Sequence, residues 1–347
     1  EDIQAVLIAP SEDMKLLFGD SPYLCERFQG IFITNKGDYF VICNLLSVDE
    51  YIKIVGDNVK IFSWSDNDGF INAVINACKE YDLINARIGV NNTVRAFNIA
   101  SLCLHMRWDI VDAVDILHEI RIKKTEIERQ ALRDSSRIAD QVFEKILQDI
   151  KPGITELDIK DRFSQLFKEA GATNSYSLVA SGKKSALPHY SGTEKELKYG
   201  EAIILDFGCV YNGMCSDITR TIFIGKTSDE QRQIYNIVKK ANQAAEDIVN
   251  PGTFIPDIDK IARDIISNAG YADYFPTRLG HGIGYSIHEA PDIKQSNIRC
   301  LEPGMAFSIE PGIYLPSKFG VRIEDIVLVT EKGKEVLNKA TKKLLIV

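Results

Sequence analysis

The residues best suited to chemistry are four carboxylates and three histidines in the C-terminal part of the chain. Asp206 lies in Gly200-Glu201-Ala202-Ile203-Ile204-Leu205-Asp206-Phe207-Gly208, and Glu310 in Gly304-Met305-Ala306-Phe307-Ser308-Ile309-Glu310-Pro311-Gly312. The two segments carry glycine, carboxylate and glycine at identical internal spacing. A second acid follows each, Asp217 after the first and Glu324 after the second. Their neighbours are strongly apolar. Like charges facing one another on a buried sheet are very unfavourable, so a cation must sit among them. Salt bridges to Arg220 and Arg322, or solvent-exposed faces, would answer the same need without a metal. The repeated spacing favours a metal, because one pattern generates both pairs.

Histidine is scarce, with five in the chain. His281 stands between glycines in Leu279-Gly280-His281-Gly282-Ile283-Gly284, which permits close backbone approach. His288 lies in Ile287-His288-Glu289-Ala290-Pro291, and His189 in Leu187-Pro188-His189-Tyr190. Four carboxylates and one imidazole form a hard, oxygen-rich set. It suits Mn²⁺, Co²⁺, Fe²⁺ or Zn²⁺ in a two-metal site better than a closed structural zinc. Two such ions about 3.5–4 Å apart can share bridging carboxylates and a bridging hydroxide, which would be the nucleophile. His288 and His189 would then steer protons or stabilise developing charge.

These residues need a scaffold that brings them together. Asn212-Gly213 is a strong two-residue turn signal. With those two residues at the turn, Thr219 pairs with Asp206 and Ile218 with Phe207. Asp217 then falls opposite Gly208, on the same face as Asp206. A looser loop centred on Ser317 would set Glu310 opposite Glu324. The helices ahead of these hairpins repeat as well. Pro152-Gly153, Asp158-Ile159 and Ala170-Gly171 recur as Pro251-Gly252, Asp257-Ile258 and Ala269-Gly270, all shifted by 99 positions. The simplest reading is a duplicated half-domain, two helix-plus-hairpin units related by a pseudo-twofold.

A long amphipathic helix is expected over about 125–149, opened by a capping box at Thr125-Glu126-Ile127-Glu128 and stopped by Lys151-Pro152-Gly153. Residues 1–120 read as a separate α/β domain without a chemistry motif. Its strands are expected at Ile3–Ala9, Gly30–Thr34, Tyr39–Cys43 and Val59–Trp64, and its helices at Gly69–Tyr81 and Thr93–Met106, with a turn at Asn35-Lys36-Gly37-Asp38. The catalytic domain would occupy 124–347.

The 347 residues carry a net charge of −8, which argues against nucleic acid as a partner. No apolar run reaches the roughly 18–20 residues of a membrane helix, and no signal peptide opens the chain. It begins at Glu1 rather than Met, so native residues before it are expected. Seven cysteines without metal-type spacing read as reduced thiols of a cytoplasmic protein.

Five ordered motifs over residues 124–347 resemble the pita-bread metallopeptidases, which include methionine aminopeptidase, aminopeptidase P and prolidase. They are Leu205-Asp206-Phe207-Gly208 with Ser216-Asp217-Ile218-Thr219-Arg220-Thr221, Gly280-His281-Gly282-Ile283-Gly284, His288-Glu289-Ala290-Pro291, Ile309-Glu310-Pro311-Gly312 and Val321-Arg322-Ile323-Glu324-Asp325. The resemblance implies an α+β architecture: a duplicated pita-bread domain behind a smaller α/β domain like those of creatinase and prolidase. It implies Asp206, Asp217, His281, Glu310 and Glu324 as ligands of two divalent ions, manganese foremost, with Asp217 and Glu324 bridging. Glu310 matches the base, His189 and His288 match substrate-contacting histidines, and Arg322 lies behind the ligands. An N-terminal domain points to the proline-specific branch, to short peptides with proline second, and to a homodimer.

One position departs from that pattern. Many proline-specific members carry histidine four residues before the metal-binding histidine, where this chain has Thr277. A hydrolase of the same fold with a non-proline substrate is therefore the alternative, and a non-catalytic binding protein of this fold the next.

Overall fold

The computed structural model describes residues 2–190 and 193–347. The chain divides into two compact units, Glu1–Arg121 and Ile122–Val347.

The first unit is built on a six-stranded sheet in the order β4-β3-β2-β1-β5-β6. Its strands are β1 (Ala5–Ile8), β2 (Gly30–Thr34), β3 (Tyr39–Asn44), β4 (Ile61–Trp64), β5 (Arg87–Val90) and β6 (Asp109–Asp112). Helices α1 (Glu12–Phe18), α2 (Val48–Val55), α3 (Ile71–Glu80), α4 (Ala96–Met106) and α5 (Val114–Arg121) complete it. Its apolar strands and two longer helices were legible in the sequence, and Ile33 pairs with Tyr39 across the expected turn. Strands β5 and β6 and helices α1, α2 and α5 carried too little periodic signal. Both strands are four residues long with a charged residue at one end or both, and they hold their place by parallel pairing with distant segments.

The second unit opens with α6 (Glu126–Ile146), whose Thr125 and Glu128 form the capping box. Helix α7 (Glu156–Glu169) precedes β7 (Asn174–Ser181), β8 (Ala202–Tyr211), β9 (Met214–Cys215) and β10 (Ile218–Phe223). Helices α8 (Asp229–Asp247) and α9 (Ile255–Asn268) open the second half. Its strands are β11 (Gly280–Gly282), β12 (Glu289–Ile293), β13 (Ala306–Ile309), β14 (Gly312–Leu315), β15 (Phe319–Arg322), β16 (Asp325–Thr330), β17 (Gly333–Val336) and β18 (Leu345–Ile346). The sheets run β18-β10-β8-β7 and β12-β11-β13-β16-β17, with β14-β15 as a separate ribbon. Helices α7 and α9 occupy the two copies of the repeat.

Each half buries its own apolar face. In the first, Phe207 of β8 stacks on Phe163 of α7 and Phe143 of α6, with ring centroids 4.6 Å and 5.9 Å away. Burial of such a ring contributes about 1.5–3 kcal/mol. Period-two alternation sends Phe207 into this helix-facing core and its neighbour Asp206 to the other face. In the second half Ile309 and Ile323 enter a corresponding core with α8 and α9.

Candidate metal centre

The first acid pair is placed by a tight hairpin. Asn212 and Gly213 both have positive φ, 48° and 80°, as a two-residue turn of this hand requires. Tyr211 pairs with Met214, Ile218 with Phe207 and Thr219 with Asp206, which is the register counted from the sequence. The second pair is placed by a hairpin centred on Ser317, whose φ is 62°. Leu315 pairs with Phe319 and Gly312 with Arg322 on one side, and Ile309 with Asp325 on the other. Glu310 and Glu324 therefore sit in the gap between two ladders that keep one register. Their amides turn elsewhere, Glu310 N–H donating to Leu279 O and Glu324 N–H to Thr219 O.

His281 arrives on β11, pressed between neighbouring strands. A Cβ on Gly280 would lie 1.9 Å from Ser308 O, and one on Gly282 would lie 2.1 Å from Ala290 O. The two glycines are thus required by close approach. The His281 N–H donates to Ser308 Oγ, and Nδ1 lies 3.1 Å from Gly282 O. That contact assigns a proton to Nδ1 and aims Nε2 at the acids.

Among the described residues, ligand atoms of Asp217, His281 and Glu324 all lie within 4.8 Å of one another, and all three side chains are buried. His281 Nε2 is 3.2 Å from Glu310 Oε1 and 3.7 Å from Asp217 Oδ2. Glu310 also accepts from Ser308 Oγ. Glu324 accepts from Thr219 Oγ1 at 2.6 Å. Arg322 pairs with Asp206, and its other nitrogens donate to Thr219 Oγ1 and Tyr314 OH. Arg220, by contrast, turns its guanidinium to Asp325 and to main-chain carbonyls, so one of the two candidate salt bridges exists and the other does not.

The electrostatics of this crowded set are uneven. Burial, with the Asp206 charge next, pushes the Asp217 carboxyl up to about 8. Burial and the charges of Asp217, Glu310 and Asp206 raise Glu324 well above the usual carboxylate range. Burial raises Asp206 too, against the opposing Arg322. Glu310 goes the other way: burial opposes its charge, but the hydrogen bond and charge of His281 outweigh burial and lower it. Burial likewise acts to lower His281, and Glu310 and Asp217 outweigh it, so that the imidazole is raised.

This donor set fits a divalent cation. Asp217 Oδ1 and Glu324 Oε1 are buried without a hydrogen-bond donor. A cation would offset the crowded negative charge and satisfy the orphaned oxygens.

The remaining expected residues stand around this cluster. His288 packs edge-on against His281, with ring centroids 4.3 Å apart. Partial desolvation, then the His281 and Arg278 charges, push its imidazole down to about 4. His189 is exposed on the loop after the 3₁₀ turn Gly182–Ala186, close enough for its charge to act on His288. Thr277 is half-buried, and its carbonyl accepts from Arg263. Sequence reasoning overlooked Thr219, Ser308 and Tyr314. Ser308 was accessible to it: it lies two residues before Glu310, at the spacing of one strand face. Tyr314 lies diagonal to Arg322 in the β14–β15 hairpin, whereas Thr219 required the joining of the two halves, made by the Thr219–Glu324 bridge.

Comparison with known proteins gives a family and named relatives. Residues 130–331 match metallopeptidase family M24. The Xaa-Pro dipeptidase of Pyrococcus furiosus is 41% identical over 233 residues, 67% of each chain. A prolidase structure from Thermococcus sibiricus has a TM-score of 0.94 at 31% identity, covering 100% of this chain and 95% of that one. An X-Pro aminopeptidase structure from Thermotoga maritima has a TM-score of 0.84 at 28% identity, covering 99% and 96%.

Proposed function

The chain belongs to metallopeptidase family M24 and has its pita-bread fold, and from that premise we propose that it hydrolyses the bond between an N-terminal residue and proline with two divalent ions. The observation that carries this reading is the convergence of Asp217, His281 and Glu324 around buried, unpartnered carboxylate oxygens. Asp206, Asp217, His281, Glu310 and Glu324 would hold the ions, with Asp217 and Glu324 shared between them. Once bound, the ions would supply Lewis-acid activation of water and of the peptide carbonyl.

The chain's own groups supply the rest. Glu310, lowered and only partly buried, is ionised at neutral pH and can take a proton from the attacking water. His288 is neutral at that pH because its imidazole is pushed down to about 4, so it offers a hydrogen bond to substrate without adding charge. His189, on its exposed loop, would contact the substrate from the other side. Arg322 fixes Asp206 and, through Thr219, the carboxylate of Glu324.

Specificity for proline rests on the likeness to proteins named prolidase and Xaa-Pro dipeptidase. The same reading takes manganese as the ion, short peptides as substrates, the cytoplasm as the location and a homodimer as the assembly. The test is hydrolysis of Ala-Pro beside Ala-Pro-Ala by chelated protein reloaded with Mn²⁺, Co²⁺ or Zn²⁺. Cleavage of the dipeptide alone makes the enzyme a dipeptidase, and cleavage of the tripeptide an aminopeptidase, the activity named for the Thermotoga maritima relative. Cleavage of neither with any metal overturns the proline reading.

A further inference from the structure

Directly before two of the ligands, at the edges of the gap between the second-half ladders, stand the main-chain carbonyls of Ile309 and Ile323. Glu310 follows Ile309, the last residue of β13, and Glu324 follows Ile323, which lies between β15 and β16. One side chain reaches both carbonyls. Asn242, fully buried on α8, donates from Nδ2 to Ile309 O at 2.9 Å and approaches Ile323 O at 3.5 Å. We propose that Asn242 is a positioning residue that sets the Glu310 and Glu324 backbones at a common spacing, and so sets the affinity of the metal pair. This inference rests on the two-ion reading above.

Asn242 is itself held. Its Oδ1 accepts from Lys342 Nζ at 2.8 Å, and the same ammonium reaches Glu246 at 2.6 Å and Asp325 at 2.8 Å. Asp325 in turn pairs with Arg220, which donates to the Glu324 carbonyl at 2.7 Å. The amide therefore has a fixed orientation: its oxygen is occupied by an ammonium, and its NH₂ group must face the two carbonyls. Its hydrogen bonds among the described residues go to main-chain carbonyls and to Lys342, not to a ligand side chain. It acts on the peptide units to which two of the ligands are attached, from the helix side of the strands. Ligand-orienting partners of this kind typically change metal affinity by about 10–100-fold when removed.

Asn242→Asp is the informative change. It keeps the shape and the acceptor for Lys342 but removes the donor and turns a carboxylate oxygen toward two carbonyls. Asn242→Ala is the second variant, and Val142→Ala in the α6 core is a control for destabilisation alone. Stepwise Mn²⁺ binding to the chelated full chain is measured by calorimetry, beside kcat and KM for Ala-Pro. The wild-type stoichiometry tests the underlying reading, since a single bound ion would overturn the two-ion site whatever Asn242 does. Given two ions, the expected result for Asn242→Asp is at least fivefold weaker binding at the second step and a lower kcat at unchanged KM, with Val142→Ala at wild-type affinities. Affinity within fivefold of wild type, or an equal loss in Val142→Ala, would overturn the proposal. Should Asn242→Ala fail to fold, Asn242→Asp alone decides.

Discussion

The two halves of the catalytic domain present their acids in different ways. In the first half Asp206 lies within an unbroken ladder, paired with Leu178 on one side and Thr219 on the other. In the second half Glu310 and Glu324 lie where the ladder is interrupted, and their amides bond to Leu279 and Thr219 instead of to each other. The first half is a hairpin on a two-residue turn, interrupted only at Ser216 and Asp217 between β9 and β10. The second adds β11 and β12, and these bring His281 and His288 to the acids. Duplication thus supplied two pairs of carboxylates, and divergence of the second copy supplied His281 and the His288 packed against it. The electrostatic outcome sets one acid apart, since burial raises Asp206, Asp217 and Glu324 while His281 lowers Glu310.

If the halves contribute equally to the ions, removing the buried acid of either should be equally severe. Asp217→Ala and Glu324→Ala are both expected to reduce hydrolysis to background and lower bound metal, with the far-ultraviolet circular dichroism retained. Activity surviving in one variant but not the other would assign the chemistry to one half. His281 and His288, both in the second half, predict an asymmetry. His288→Ala should lower kcat about 10²–10⁴-fold while the metal content by elemental analysis stays at wild type. Loss of metal in that variant would make His288 a ligand-supporting residue and not a substrate contact. A smaller contrast lies behind the ligands. Thr219 bonds both Glu324 and Arg322, whereas Ser308 bonds Glu310 and the His281 amide. Thr219→Val should weaken Mn²⁺ binding toward the upper end of the roughly 10–100-fold range, and Ser308→Ala toward the lower end. The reverse order would place the greater support in the second half.

How far the sequence carried these conclusions depended on whether the determining interaction was local. The Asn212-Gly213 turn fixes a register by chain geometry alone, and its pairs could be counted to Thr219–Asp206. The loop centred on Ser317 kept its register through the interruption, so Glu310 and Glu324 could be placed opposite one another before the ladder itself was known to break. Glycines around His281 signalled close approach, which Ser308 O and Ala290 O explain. What stayed hidden joins distant segments. Nothing near Arg322 in the chain says which of the four acids it pairs with, and nothing near Asn242 announces the carbonyls of Ile309 and Ile323. In the first unit strands β5 and β6 were missed for the same reason, since parallel pairing leaves little local trace.

The subtlest contrast, between Asp217 in the first half and Glu310 in the second, is one of sign. In the metal-free protein Asp217, pushed up to about 8, keeps a proton that the unfolded chain has released. Its contribution to stability is full below the usual carboxylate range and is lost as pH rises through about 8. Glu310 is lowered, so its contribution is present above the usual range and is lost as pH falls below it. At pH 7.5 in chelator, Asp217→Asn should therefore raise Tm by removing a charge that folding disfavours, while Glu310→Gln should lower it by stripping His281 of its partner. Adding Mn²⁺ should raise the wild-type Tm more at pH 8 than at pH 6, because the ion competes with fewer protons. Thermal melts of the two variants that shift in the same direction would mean that His281 does not distinguish the halves, and that the acids titrate as a single cluster.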